Sequence, residues 1–399
     1  MNAKNQFKIA LYFFAAIALL GLLLRLTPLR DLGMPYSNIL HAHSHVAFLG
    51  WLHGAFMAFI SYIFLKDKLQ TKQFKWLYGF TIFNVTGIYI AFLIQGYKFF
   101  SILFLSLFLI ATYWFLSFFY KNKQDVADYP ATFRFVRTGL WLQFLSSFSP
   151  WSLGAIIKIF GKKSDFYKFD IFYYLHFQYN GWFLFATIAF TLFLLERRGI
   201  TLPASKVDNL YKLMLIAVFL GYFSNILWAH PGWIYNVLAL IGGAAEIGAF
   251  FILLLILKRY HNYLKHTISN FTYKVLMTVL LIFMIKTVLQ FMGSLPYYAD
   301  LTYTIRDFVI GYLHMIMLGI FTPFLLVVAS ELGFISLNKN YFSIFYSGFV
   351  ITESLIFFRA IMQWFKIGIN PEIFNVFLFI FTLWMATGVW LMAFKNKIE

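Results

Sequence analysis

Apolar residues dominate this chain in long runs, separated by short polar and mostly basic segments. The runs fall near 9–27, 40–64, 76–95, 98–119, 138–160, 169–195, 211–229, 234–257, 275–294, 306–330, 342–363 and 373–394. Each is close to the roughly 20 residues that an α-helix needs to cross a bilayer. The pattern predicts an all-α, polytopic membrane helix bundle of about 12 transmembrane helices, forming a single transmembrane domain over 1–399. Little chain remains for a soluble domain, so activity is expected among the helices or at their mouths. The first run does not read as a cleaved signal, because it is long and Gly21–Thr27 lacks the small-residue cleavage pattern.

Composition sharpens this picture. Of 399 residues, 61% are hydrophobic and 12% charged, where soluble domains carry about 25% charged residues. That excludes an ordinary soluble enzyme, a disordered protein and a nucleic-acid binder. With no Cys, disulfides, thiolate metal sites and covalent c-type heme are excluded as well.

The net charge of +17 reads as topology. With the N-terminus in the cytoplasm, 21 of the 32 Lys and Arg fall on inner segments, from Lys4 and Lys8 to Lys395 and Lys397. Nine fall on outer segments, and Lys286 and Arg359 lie within runs. The positive-inside bias favours both termini in the cytoplasm. It fits a multi-pass protein of the cytoplasmic membrane of a bacterium, with basic loops attracted to anionic lipid. The basic stretch Lys158–Lys168 is the one segment that runs against it.

The candidate chemistry lies in the histidines. His261 and His266 sit in a basic inner segment and read as solvated. The other seven lie in or at the ends of runs: His41, His43, His45 and His53 in the second, His176 in the sixth, His230 after the seventh and His314 in the tenth. Intramembrane ionisable residues are costly and point to function. On the assigned topology His45, His176, His230 and His314 share one outer layer, whereas His53 reads as a structural residue. Neutral imidazole binds iron or copper without carrying charge into hydrocarbon. His41 and His45 share a helical face and His43 points nearly opposite. Gly50, Gly54, Ala55 and Ala58 leave room for a flat macrocycle or for close helix packing. Trp51, Trp151, Trp182, Trp228 and Trp233 read as an outer aromatic belt.

On these residues the chain resembles subunit I of the heme-copper oxidase superfamily, which includes cytochrome oxidases and nitric oxide reductases, with NnrS-type proteins as divergent relatives. The segments are His-Ala-His-Ser-His-Val-Ala-Phe-Leu-Gly-Trp (41–51), Leu-His-Phe-Gln-Tyr (175–179), Ala-His-Pro-Gly-Trp (229–233) and Gly-Tyr-Leu-His-Met (311–315). The resemblance implies a heme b held by His45, or by His41 or His43, together with His314. It implies copper or non-heme iron at His176 and His230, with His45 and His314 as further metal ligands, and Arg306 at heme propionates, helped by Arg25 and Arg30. Handling of electrons or of a diatomic gas (NO or O2) at an outer-facing site would follow, with a quinol or protein electron donor. The tenth run has one His where catalytic members have a His-x-His pair, and the pattern His-Pro-Glu-Val-Tyr is absent around His176. A one-heme protein is therefore easier to build than a proton-pumping oxidase, and oxidoreductase activity stays open.

Glu246, Lys286, Glu353, Asn180, Asn225, Gln290 and Gln363 also lie within runs. The carboxylates are candidates to carry protons, or to pair with Lys286 or Arg359. Gly242–Ala245 reads as small-residue packing. A different class also suits twelve spans: a secondary transporter using His and Glu for proton or metal-ion coupling.

Overall fold

A computed structural model describes residues 2–395, and Lys397 lies outside them. All regular structure among the described residues is helical. Among the described residues, eleven helices are long and apolar enough to cross a membrane. They coincide with eleven of the twelve expected runs.

The exception is 138–160, which divides into helices Pro130–Ser146 and Phe148–Phe160. Pro150 has no N–H to offer the carbonyl of Ser146, and its ring crowds that carbonyl. Ser146 and Ser147 bond back to the carbonyls of Gln143 and Phe144 (2.6 and 2.5 Å), which loosens the same turn. The two pieces still line one partner, the helix Asp165–Glu196. At one end the Glu196 carboxylate accepts from the N–H groups of Ala131 and Thr132 (2.9 and 3.1 Å), capping the first piece. At the break, Gln178 Nε2 donates to Ser146 Oγ (3.0 Å). Beyond it, Ser149 and Ser152 donate to the Asp170 carboxylate (2.9 and 2.7 Å).

The chain forms two compact units, Met1–Asp125 with Leu325–Glu399, and Val126–Phe324. In the first unit the helix Ala3–Leu26 packs on the span Tyr36–Phe64 and on the helix Pro371–Lys395, whose Trp390 Nε1 donates to the carbonyl of Ala15 (3.0 Å). Small residues allow the approach. A Cβ on Gly50 would sit 2.9 Å from the Phe13 ring and one on Gly54 would sit 3.2 Å from Ala10. Of the two uses foreseen for these glycines, close helix packing is the one realised. In the second unit Gly242 likewise meets the backbone at Gly221.

Three spans differ from the rest. Tyr36–Phe64, Asp165–Glu196 and Arg306–Glu331 are 78%, 94% and 78% buried, against 33–44% for the other eight. The same three leave α geometry for a wider π segment: Ala47–Leu52, Phe177–Phe183 and Met315–Phe321. Each begins one or two residues after a histidine, His45, His176 or His314. Such π insertions re-aim the side chains that follow and are frequent at functional sites.

Two of the five expected belt tryptophans are core residues. Trp51 is 2% exposed and stacks on Phe14 at 4.8 Å, and Trp182 is fully buried. Trp151 and Trp233 are exposed. The apolar neighbourhood, which sequence position alone does not reveal, decides between belt and core.

Candidate functional site

The second span gathers three histidines on one helix, Tyr36–Val46. His45 Nδ1 donates to the carbonyl of His41 one turn back (2.8 Å), which leaves Nε2 as the acceptor. Nε2 receives the Tyr97 hydroxyl at 2.9 Å. The His45 ring also stacks on Phe92 at 4.6 Å, and His41 meets Tyr97 edge-on at 4.6 Å. Tyr97 follows Gly96, which turns the chain at φ 64°, and is half exposed. Nothing in the periodicity pointed to Tyr97, which lies between two runs.

His43 points the other way, as expected from its register. Its Nδ1 lies 3.1 Å from the carbonyl of Ile17, and its ring sits over Gly21, where a Cβ would be 3.2 Å from Cε1. Gly21 is thus the residue that lets the first helix accept an imidazole. Arg25 lies within electrostatic reach of both His43 and Glu353. Glu353 is buried, and its Oε1 has no hydrogen-bond partner among the described residues. Arg359, which with Lys286 was a foreseen partner of the carboxylates, lies over the Phe374 ring at 4.7 Å. His53 is buried beside Phe108, edge-on at 5.2 Å, in keeping with a structural role.

The second unit holds a different cluster. His176 is 1% exposed and engaged at both nitrogens. Nε2 donates to the carbonyl of Val218 (2.8 Å), while Nδ1 accepts from the amides of Asn225 (3.1 Å) and Asn180 (3.2 Å). Asn180 Oδ1 in turn accepts from Lys286 Nζ (2.6 Å), and Lys286 is paired with Glu246. Nearby, Tyr312 donates to Gln290 Oε1 (2.5 Å) and Gln290 Nε2 donates to Ser224 Oγ (3.1 Å). Four spans therefore share one buried polar network, and a fifth lies against it through Tyr312. Its only full charges are Lys286 and Glu246, which cancel, so the network places no net charge in hydrocarbon.

His230 stands apart from this network. It is 70% exposed, in a left-handed turn at φ 51°, with Nε2 3.5 Å from Asp300. Beside it Trp228 stacks on Tyr303 at 4.1 Å, and Lys168 donates to the Tyr303 hydroxyl (2.7 Å). His314 closes the helix Arg306–His314, with Arg306 exposed at the opposite end. The eight-residue offset puts them about 12 Å apart along the axis. Arg30 is exposed after the first helix. His261 and His266 lie on a short exposed helix, His261–Thr267.

The donor chemistry can be tested against the cofactors implied by the resemblance. A metal-bound imidazole usually donates its second N–H to a carbonyl or carboxylate, which fixes the tautomer. His45 has that arrangement, and the Nε2 lone pair becomes available once Tyr97 moves aside, so it fits as a ligand to a heme iron. A second metal at His176 and His230 does not fit. Both nitrogens of His176 are taken by protein groups, and His230 faces Asp300 on an exposed turn. Among the described residues no group of three or more His, Asp or Glu is placed to hold a metal ion.

No family model matches this sequence, and no curated protein matches it.

Proposed function

We propose that this chain is a heme-binding protein of the bacterial cytoplasmic membrane, resembling heme-copper oxidase subunit I. His45 and His314 would hold a heme b, with His41 or His43 as the alternative to His45. Arg306 serves the propionates from the outer rim. The observation that carries this reading is the His45 tautomer: Nδ1 tied to the carbonyl of His41, Nε2 held by a displaceable hydroxyl. The π segments that begin within two residues of His45 and His314 support it as well. A heme held by two imidazoles suits electron transfer. Leaving one position open would let the same group meet NO or O2.

In this reading the chain crosses the membrane twelve times, with both termini inside. The pair Pro130–Ser146 and Phe148–Phe160 makes one kinked crossing alongside Asp165–Glu196. The Cys-free sequence suits single-cysteine labelling from each side. Labelling of Ser205→Cys from the outside would reverse the assignment.

The deciding experiment is an absorption spectrum with iron analysis of protein expressed with heme available. A Soret band and about one iron per chain are expected, and His45→Ala or His314→Ala should abolish or shift the band. A preparation with neither band nor iron refutes the proposal.

The buried network around Lys286 favours one other reading, a secondary transporter coupled to protons. Intramembrane charges of this kind mark proton relays in pumps and transporters. Substrate uptake by proteoliposomes of heme-free protein, lost in Glu246→Gln, would select it.

A further inference from the structure

A second feature of Val126–Phe324 lies outside the polar network around His176. A cavity of about 520 Å³ is enclosed by the helices Leu184–Glu196, Trp233–Arg259 and Asn270–Met292, with Leu264 of the short helix His261–Thr267 at one end. The volume is within the range of small-molecule sites, roughly 300–1,000 Å³. Its wall is aliphatic and aromatic. Phe251, Leu255 and Met277 line it and are also exposed on the flank of the unit, where a spanning helix faces hydrocarbon. Three hydroxyl-bearing residues line it. Thr187 and Thr191 donate to carbonyls of their own helix (2.8 and 2.9 Å), and the Tyr273 hydroxyl lies 3.4 Å from His261 Nδ1 at the polar end. Away from that end the wall therefore offers no grip for a polar group and suits an acyl chain.

The end near His261 has the opposite character. Lys258 and His261 line the cavity there. From Lys258 to Lys274 the chain carries Lys258, Arg259, Lys265 and Lys274 and no Asp or Glu. All four are exposed. Four basic residues directly beside a spanning helix are the footprint of an anionic headgroup site.

We propose that this cavity binds one anionic phospholipid. An acyl chain enters from the bilayer between Leu255 and Met277 and fills the apolar space. The phosphate lies at Lys258 and His261, and Lys265 completes the positive rim. The short helix His261–Thr267 joins the two parts, with Leu264 turned to the tail and Lys265 to the head.

The test uses the full chain, purified in detergent and offered phosphatidylglycerol or phosphatidylcholine, with retained lipid counted by native mass spectrometry. One phosphatidylglycerol per chain is expected, in preference to phosphatidylcholine. Lys258→Gln should weaken retention about fivefold, the factor one basic side chain contributes at an anionic surface. Leu280→Trp, which fills the cavity, should abolish retention while the helical circular dichroism is unchanged. The charge variant needs no repacking, so it decides the matter even if Leu280→Trp fails to fold. Equal retention of the two lipids, full retention in either variant, or displacement of the lipid by a short-chain quinone overturns the proposal.

Discussion

His45 in one unit and His176 in the other each stand at the entrance to a π segment in a deeply buried span. Their surroundings differ. His45 has one nitrogen tied to its own helix and the other held by a half-exposed tyrosine at the end of a neighbouring helix. His176 is held by a buried carbonyl and two amides from two spans, and is linked through Asn180 to an ion pair. The first arrangement exposes a nitrogen when one flexible group moves. The second has no such group, because each partner is fixed by helix packing. Histidine in a membrane span is therefore not one signal: the mobility of its hydrogen-bond partners separates a candidate ligand from a network member.

The largest effect is expected where that network carries charge. Lys286→Met leaves Glu246 buried without its counter-ion, and breaking such a pair costs about 3–5 kcal/mol. The double variant Lys286→Met/Glu246→Gln should recover most of this loss, since it removes both charges. Thermal unfolding in detergent measures the difference. If the single and double variants melt together, the pair is not the keystone of the second unit. Next, His176→Leu removes the acceptor of two buried amides and the donor to Val218, costing about 1–3 kcal/mol. Its heme content should match wild type, and loss of the Soret band in this variant would reverse the contrast with His45. Gly50→Ala comes third. It forces a Cβ against Phe13, an overpacking that typically costs about 1–3 kcal/mol, and a melting temperature equal to wild type would show that the two helices can separate freely.

Much of this contrast could not be read in the sequence, for identifiable reasons. Eleven spans were legible because apolar runs of membrane length have few other uses. The run 138–160 divides just before Pro150, where hydropathy averaging hides a missing N–H. Ordinal position placed His45, His176, His230 and His314 in one outer layer. It could not show that His176 is saturated by amides or that His230 stands on an exposed turn facing Asp300. Among the foreseen partners of Lys286, Glu246 is the realised one, and Glu353 has Arg25 within electrostatic reach. Pairing across helices depends on rotation about each axis, and the π segments shift that rotation without leaving a mark in the hydrophobic period. Tyr97 and Gly21 were missed because each acts through a neighbour distant in the chain.

The smallest effect bears most directly on His45. Tyr97→Phe deletes the hydroxyl that meets Nε2 and keeps the ring that packs on His41 and Phe92. Side-chain hydrogen bonds between membrane helices average about 0.6 kcal/mol, and this tyrosine is half exposed, so the protein should melt within a few degrees of wild type. If His45 binds heme through Nε2, the hydroxyl competes with the iron for the same lone pair. Its removal should then raise heme affinity by up to about threefold, the factor equivalent to 0.6 kcal/mol. In a purely structural role the hydroxyl would make no such difference. Heme titration of the two proteins side by side separates the cases: an affinity that falls in Tyr97→Phe would mean that the tyrosine assists the cofactor instead of holding its place.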